Sequence, residues 1–308
     1  MPEPLPWSRA RWVLLALVIA ILLSPIWFFR YLPLVDYPDH LARAYILAHL
    51  DDPAYAGFYR AAWGPYPYLA GDLLLVALQK IVPIDIAGRI LLSLCVLSVP
   101  AASWFFLRRA NPENAILAAW SLPLSYNVFF LSGFMNMQLS MALCLVVIAL
   151  WLGWLQQPRS GWLGLLLLVN GLYFTHLMGF AVAGVVVGVY SLLVASARRE
   201  IPRSWAMFVP GALLYLYASA HAGLKLQSAG LVLSERFRSP LIALRTHYLA
   251  LDVIGVVVVV ACVIAALFSN REFRWNRPWL EVSFALYLVS VFLPSGGLTI
   301  INGRIMPF

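Results

Sequence analysis

The chain has 308 residues, of which 63% are hydrophobic and only 11% are charged, and its net charge at pH 7 is +8. A soluble domain carries about 25% charged residues, so this composition excludes an ordinary water-soluble fold. The basic residues form short clusters between apolar runs rather than one basic face, which argues against nucleic acid as a partner. We therefore predict an all-α polytopic membrane protein.

Nine membrane-spanning helices are predicted, because apolar runs of roughly 20 residues, enough to cross about 30 Å of hydrocarbon, recur along the chain. The first run follows Arg9 and Arg11 and has no small-residue cleavage site behind it, so we expect a retained span rather than a signal peptide. The predicted spans cover about residues 11–30, 89–107, 114–132, 134–155, 161–176, 178–196, 205–221, 250–268 and 279–294.

The short basic clusters predict how the spans are oriented. With the N-terminus in the cytoplasm, the pairs Arg108-Arg109 and Arg198-Arg199 fall on the cytoplasmic side, together with the other compact clusters. This is the positive-inside distribution of membrane proteins. We therefore expect a multi-pass protein with a cytoplasmic N-terminus.

One apolar segment, residues 69–83, decides this orientation, because a span there would move every later arginine cluster to the outer side. The segment is short and carries Asp72 and Lys80, so we predict an amphipathic helix lying flat at the outer interface, with a short true span as the alternative. Two outer loops result, at about residues 31–88 and 222–249. The whole chain is predicted to form one transmembrane domain, and the apolar stretch that starts at its end is consistent with a truncated chain.

The densest polar group follows the first span, where Asp36, Asp39, His40 and Arg43 lie close together. Asp39 is predicted to cap a helix that begins at His40, which would explain its presence structurally. Asp36 has no such explanation, and a carboxylate at a membrane boundary is costly unless it has a partner or a function. We therefore predict Asp36 as the catalytic residue and Asp39 as a second catalytic candidate.

A carboxylate at this position can act as a general base toward an acceptor hydroxyl or amine. The electrophile that a membrane offers is a lipid-linked phosphate ester, whose oxygens suit the donors of arginine. We therefore expect the substrate-binding residues on the outer side. For each of them the alternative is a structural role, as a snorkelling side chain, a helix cap or a partner in an interhelical bond. The candidates are His40, Arg43, Asp72, Asn136, His176, Arg245, His247 and Arg304.

The sequence predicts neither a metal site nor a cofactor. No two histidines stand at i and i+4, the spacing typical of zinc proteases, and there is no Gly-rich phosphate-binding loop. The cysteines each lie inside an apolar run and are interpreted as small packing residues rather than a disulfide framework; they are Cys95, Cys144 and Cys262.

The arrangement of these residues resembles the GT-C superfamily of polytopic membrane glycosyltransferases. The acidic motif Asp36-Tyr37-Pro38-Asp39-His40 follows the first span, a long outer loop comes next, and the following span opens with an arginine and ends in two more. The chain looks most similar to bacterial, largely uncharacterised members with a Tyr-Pro-Asp/Asn-His-Leu-Ala-Arg stretch. The resemblance covers roughly the first 180 residues.

The resemblance implies an inverting transfer of a sugar from a polyprenyl-phosphate donor to an acceptor at the periplasmic face of the bacterial inner membrane. It also implies that the acid of the first outer loop, by position Asp36, is the catalytic base. Two features depart from the family. The acids are spaced Asp-x-x-Asp instead of as adjacent Asp-Glu, and the next outer turn offers Asn127, Ser132 and Asn136 where many members carry a second acid. The use of a divalent metal ion is thereby left without support.

Two other functions stay open from the residues alone. A transporter or lipid flippase places ionisable groups in mid-membrane, whereas the predicted spans hold few charges, such as Asp252 and Glu281 near span ends. A non-catalytic membrane scaffold would fit the missing second acid. A cleft that joins Asp36 to the outer arginines would favour the transferase over the scaffold.

Overall fold

The computed structural model describes residues 9–158, 160–221 and 277–292, together with Val253 and Val257. This part of the chain is 80% helical and contains no β-strand, which confirms the all-α prediction for it. The second outer loop and nearly all of the span predicted at 250–268 lie outside the described residues.

The described helices follow one another through mostly short connections. In chain order they are α1 (Arg9–Phe28), α2 (Tyr37–Ala48), α3 (Pro53–Ala56), α4 (Leu69–Leu78), α5 (Ile84–Ala110), α6 (Val128–Leu131), α7 (Met135–Gln156), α8 (Trp162–Thr175), α9 (Leu177–Leu193), α10 (Ala195–Arg198), α11 (Ile201–Ala206), α12 (Val209–His221) and α13 (Arg277–Phe292).

Four helical segments of the described chain are long and apolar enough to cross a membrane, as expected of a membrane protein. They correspond to the first four predicted spans. The helices α8 and α9 are also apolar but shorter, with 14 and 17 residues. The four segments are Arg9–Phe28, Ile84–Ala110, Pro112–Leu131 and Met135–Gln156.

The third of these segments is not a continuous α-helix. It consists of two 3₁₀ segments, Pro112–Ser121 and Pro123–Tyr126, followed by the single turn of α6. Asn114 has non-helical angles, with φ −107° and ψ 18°. Pro123 has no N–H to donate to the preceding turn, so an uninterrupted α-helix cannot pass through it without losing a hydrogen bond.

The segment predicted at the membrane interface forms α4, which is shorter than the predicted range and ends at Leu78. A helix of ten residues rises about 15 Å, half the thickness of the hydrocarbon core, so α4 is too short to cross a bilayer. It buries Gly71, Asp72 and Leu75 against the rest of the protein, while Leu73 and Leu74 are exposed. Exposed leucines on this helix are suited to contact with lipid.

A cluster of buried side chains lies beneath the polar stretch that follows α1. It joins α1, α2, α4, α5 and the start of α7, through Ile26, Ala44, Leu75, Leu92 and Met135 among others. A second buried cluster packs α7, α8 and α9 against one another. The first cluster therefore supports the helices that carry the polar residues.

Arg89, near the start of α5, holds the end of the first span. Its guanidinium donates hydrogen bonds to the carbonyl of Ile26, to that of Phe29 at 2.9 Å and to that of Arg30 at 3.1 Å. The last carbonyls of a helix have no partner within the helix, so they need donors from outside it. Arg89 thereby fixes the point at which the chain leaves α1, shortly before Asp36.

Candidate functional site

The polar stretch after the first span folds as helix α2, whose first residue is Tyr37. The prediction that Asp39 caps a helix beginning at His40 was therefore wrong. Asp36 occupies the N-cap position, and Asp39 lies exposed in the first turn. The helix can include Pro38 because a proline in the first turn lacks only an N–H that has no acceptor within the helix.

The backbone of Asp36 is held by the turn between α6 and α7. The N–H of Asp36 donates to the carbonyl of Ser132 at 3.0 Å. Gly133 follows with a φ of +82°, and a Cβ at this position would lie 2.8 Å from the nitrogen of Asp36 and 2.6 Å from that of Tyr37. Only glycine allows this approach, because both the positive φ and the nearby backbone atoms exclude a side chain.

The carboxylate of Asp36 is half-buried and makes no capping hydrogen bond. Neither it nor the carboxylate of Asp39 has a hydrogen-bond or ion-pair partner within the part of the chain that the structure describes. A carboxylate at a membrane boundary is costly to desolvate, so the absence of a local partner needs a reason. A carboxylate that is left available in this way can accept a proton from a substrate.

Asp36 shares one side of α2 with His40 and Arg43. At 3.6 residues per turn, the three positions lie within about 60° of one another, and about 10 Å separates the first from the last along the axis. Tyr37 and Ala44, on the adjacent side of the helix, are buried. The polar side of α2 therefore borders its packed side.

Arg43 connects α2 to α4 through Asp72. Its Nη2 atom lies 2.7 Å from Oδ1 of Asp72 and 2.7 Å from Nδ1 of His40. Because an arginine only donates, Nδ1 of His40 accepts, and the neutral ring carries its proton on Nε2. Asp72 is nearly buried, whereas 34% of the Arg43 side chain is exposed. Three residues predicted to bind substrate are thus in contact with one another, and we call them the His40–Arg43–Asp72 cluster.

Asn136, at the start of α7, holds the beginning of α4. Its Oδ1 accepts a hydrogen bond from the N–H of Gly71 at 2.7 Å, and its Nδ2 donates to the carbonyl of Tyr68 at 2.9 Å. Asn136 is predicted to bind substrate, but both ends of its buried amide bond the backbone of α4 and of the residue before it. Its visible role is to keep Asp72, next to Gly71, against α2.

The α6–α7 turn and the first residues of α7 thus support α2 and α4, the two helices that carry the polar residues. Ser132 and Gly133 contact the start of α2, and Asn136 contacts the start of α4. The positions of Asp36 and Asp72 relative to each other therefore depend on this α6–α7 turn, although neither acid lies on it.

Asn127, considered from the sequence as a replacement for a second acid, has a structural role. Its Oδ1 accepts from the N–H groups of Phe129 at 2.9 Å and Phe130 at 3.1 Å, which caps α6. Its Nδ2 donates to Oε1 of Gln138 at 2.8 Å. With this amide occupied, Asn127 is not available to take the place of a second acid.

His176 lies at the junction of α8 and α9, where its Nδ1 accepts from the N–H of Met178 at 3.1 Å and caps α9. Because Nδ1 accepts, the proton of the neutral ring is on Nε2. The ring packs edge-on against that of Tyr68, with 4.5 Å between the centroids.

Tyr68, which immediately precedes α4, is a candidate that the sequence reasoning missed. Among the described residues it is the only non-glycine residue with a positive φ, at 72°. This strained backbone is held by the hydrogen bond from Asn136 to its carbonyl. Its hydroxyl is buried without a hydrogen-bond partner in the described chain, which costs about 1–3 kcal/mol. No sequence pattern distinguishes Tyr68 from the other tyrosines.

Three residues predicted to bind substrate, Arg245, His247 and Arg304, lie outside the described residues. Within the described ranges, no three His, Cys, Asp or Glu side chains come together in a way that could hold a metal ion. No family model, no curated protein and no solved structure matches this chain.

Proposed function

We propose that this protein is an inverting membrane glycosyltransferase, which moves a sugar from a polyprenyl-phosphate donor to an acceptor at the outer, periplasmic face of the bacterial inner membrane. The observation that carries the proposal is the environment of Asp36. Its backbone is held by the α6–α7 turn, while its half-buried carboxylate has no partner among the described residues. A rigid backbone and an available carboxylate are what a general base requires.

The His40–Arg43–Asp72 cluster supports the same proposal. Arg43 is oriented by Asp72, yet a third of its side chain stays exposed on the side of α2 that also carries Asp36. An arginine in this position suits a phosphate, because a guanidinium can donate two hydrogen bonds to neighbouring oxygens. The spacing of about 10 Å along α2 leaves room for a sugar between a phosphate near Arg43 and the carboxylate of Asp36.

In the proposed reaction, Asp36 removes the proton from an acceptor hydroxyl or amine as that group attacks the anomeric carbon of the sugar. The bond between this carbon and the phosphate oxygen breaks, and the electron pair leaves with the polyprenyl phosphate. Attack from the face opposite the leaving group inverts the anomeric configuration. The proton ends on Asp36, and arginine donors stabilise the charge gained by the phosphate. Asp39, exposed on the same helix, is the second candidate for the base.

The finer topology belongs to the same proposal. We infer nine spans with a cytoplasmic N-terminus, a flat α4 at the outer interface and the arginine clusters inside. This arrangement puts Asp36, Arg43 and Asp72 on the outer side, where a lipid-linked donor presents its head group. The arginines at 245 and 304 would lie on the same side.

The test is transfer activity of the purified protein in proteoliposomes, with a panel of radiolabelled polyprenyl-phosphate sugars and a membrane-lipid extract as acceptor source. Asp36→Asn keeps the size of the side chain but removes the base, so we expect transfer to fall by a factor of about 10² to 10⁴. Asp51→Asn is the matched control, since Asp51 is exposed in the same outer loop. Wild-type transfer by Asp36→Asn, with Asp39→Asn also active, would remove the proposed role of both acids.

A further inference from the structure

Tyr68 and His176 present two polar groups that the protein itself leaves available. The hydroxyl of Tyr68 is buried without a partner among the described residues. The Nδ1 of His176 is used by Met178, and its Nε2 makes no hydrogen bond in the described chain. The two rings pack edge-on, with 4.5 Å between their centroids, so the two side chains are neighbours beside the start of α4.

The packing around Tyr68 does not explain its hydroxyl. Asn136 holds the backbone of Tyr68, so the strained conformation is maintained independently of the side chain. The neighbouring Tyr173 provides a contrast, because its hydroxyl donates to the carbonyl of Pro65 at 3.0 Å and thus has a structural role. A buried polar group without a partner normally marks a bound water or ligand.

The chemistry of the two side chains favours an uncharged ligand. The ring of His176 is neutral and offers Nε2–H as a donor, and the phenol of Tyr68 can both donate and accept. Neither of the two side chains offers a positive charge to a phosphate, whereas the hydroxyl groups of a sugar can use one donor and one donor–acceptor. The two side chains also lie next to α4, which carries the nearly buried Asp72 of the His40–Arg43–Asp72 cluster.

We propose that Tyr68 and His176 form a subsite that binds hydroxyl groups of the transferred sugar or of a sugar on the acceptor. This inference rests on the proposed glycosyltransferase function and names the part of the site that recognises sugar, as distinct from the phosphate. Tyr68 contacts the sugar through its hydroxyl, and His176 contacts it through Nε2–H.

The experiment measures binding to the full chain in lipid nanodiscs by thermal shift. The probes are polyprenyl phosphates carrying glucose, mannose, N-acetylglucosamine or arabinose, the same polyprenyl phosphate without sugar, and the methyl glycosides of the four sugars. For the sugar that binds the wild type most tightly, we expect Tyr68→Phe to weaken binding about tenfold. Binding of the sugar-free polyprenyl phosphate should be unchanged. Loss with the lipid-linked sugar assigns the subsite to the donor, and loss with the methyl glycoside assigns it to the acceptor.

Two further variants separate binding from folding. Tyr68→Phe without ligand should melt no lower than the wild type, because the removed hydroxyl makes no internal bond, whereas Tyr173→Phe should melt lower. His176→Asn keeps a side chain that can cap α9 but removes Nε2–H, so it should weaken sugar binding in the same way. Unchanged sugar binding in Tyr68→Phe, or an equal loss for the sugar-free phosphate, would overturn the subsite.

The two proposals fail in different ways. Asp36→Asn should bind the sugar-bearing probe like the wild type and yet not transfer it. If no probe stabilises the wild type, both the function and the subsite are contradicted. If Asp36→Asn abolishes transfer while Tyr68→Phe binds every probe normally, the function stands and the subsite is wrong.

Discussion

Asn136 shows, at the scale of single residues, how a buried amide can substitute for backbone pairing. It satisfies the N–H of Gly71, a first-turn group that an isolated helix leaves without a partner, and it also bonds the carbonyl of Tyr68. Both bonds are shielded from water, so the loss of either leaves a buried polar group unsatisfied. The amide thereby stabilises a tyrosine backbone that is otherwise unfavourable.

We expect Asn136→Ala to destabilise the protein by about 2–4 kcal/mol, because it leaves the buried N–H of Gly71 without a partner and removes the bond to the carbonyl of Tyr68. The measurement is thermal or denaturant unfolding in detergent micelles. Asn114→Ala is the control, since the side chain of Asn114 is half-buried and makes no hydrogen bond in the described chain. Equal stability of the two variants would show that the bonds to α4 contribute little.

Sequence reasoning located the polar residues but not all of their partners. The cluster of Asp36, His40 and Arg43 was visible because these residues are close in sequence and share a helical face. The contact of Arg43 with Asp72 joins two helices, and that of Asn136 with Tyr68 joins α7 to the residue before α4. Such pairs depend on tertiary packing, which no local pattern encodes. The helix begins at Tyr37 and not at His40, because Pro38 fits into its first turn, where its missing N–H costs no helical hydrogen bond.

At the scale of elements, the position of α2 depends on the close approach of a turn. Gly133 and Gly161 both have a φ of +82°, and both lie just before a helix. A Cβ at Gly161 would meet no atom within 4 Å, whereas one at Gly133 would meet the backbone of Asp36 and Tyr37. The two glycines therefore share a conformational requirement but differ in packing.

This pair allows a matched experiment on the placement of α2. Both Gly→Ala variants carry the penalty of a positive φ, and Gly133→Ala should lose about 1–3 kcal/mol more because the new methyl group has to displace backbone. Unfolding in micelles measures the difference. In transfer assays, Gly133→Ala should also lose activity at temperatures where it is still folded, since the start of α2 has moved. Identical behaviour of the two variants would show that the contact does not position Asp36.

Hydropathy predicted the bounds of a helix closely only where that helix is regular. The bounds predicted for α1 and α7 lie close to those observed, because an uninterrupted apolar run and a helix coincide there. The segment from Pro112 to Leu131 has the same apolar character but a broken course, which hydropathy does not register. The start of α5 at Ile84 precedes the predicted span, because the first turn of the helix carries Asp85 and lies outside the apolar run.

At the scale of the whole molecule, the distribution of charge along the long described helices differs from the one expected of the alternative function, an ion-coupled transporter. In the long apolar helices α1, α5 and α7, acidic and basic side chains stand near the ends, such as Arg89 near the start and Arg108 at the end of α5. The middle of the long apolar helices α1 and α7 carries none. Transporters that use proton or ion gradients place such groups at mid-membrane.

The proposed topology predicts the side on which three introduced cysteines lie. In a background with Cys262 replaced by serine, Asp51→Cys and Ile81→Cys should react with a membrane-impermeant maleimide added outside spheroplasts. Glu113→Cys should react only after permeabilisation, because α5 separates it from the other two. All three residues are exposed, and the native Cys95 and Cys144 are buried. Labelling of Ile81→Cys on the side opposite to Asp51→Cys would mean that α4 crosses the membrane.

The contact between Asp36 and the α6–α7 turn has a consequence for biosynthesis. The acid leaves the ribosome early, but Ser132 and Gly133, which hold its backbone, are translated much later, and so is Arg89, which holds the end of α1. At about 5–20 residues per second, a nascent chain exists for seconds with Asp36 outside the ribosome and no partner for it. The geometry around the acid is completed only when the first four apolar segments are in the membrane. A fragment of the chain that ends before Ser132 would therefore carry Asp36 without the contacts that hold its backbone.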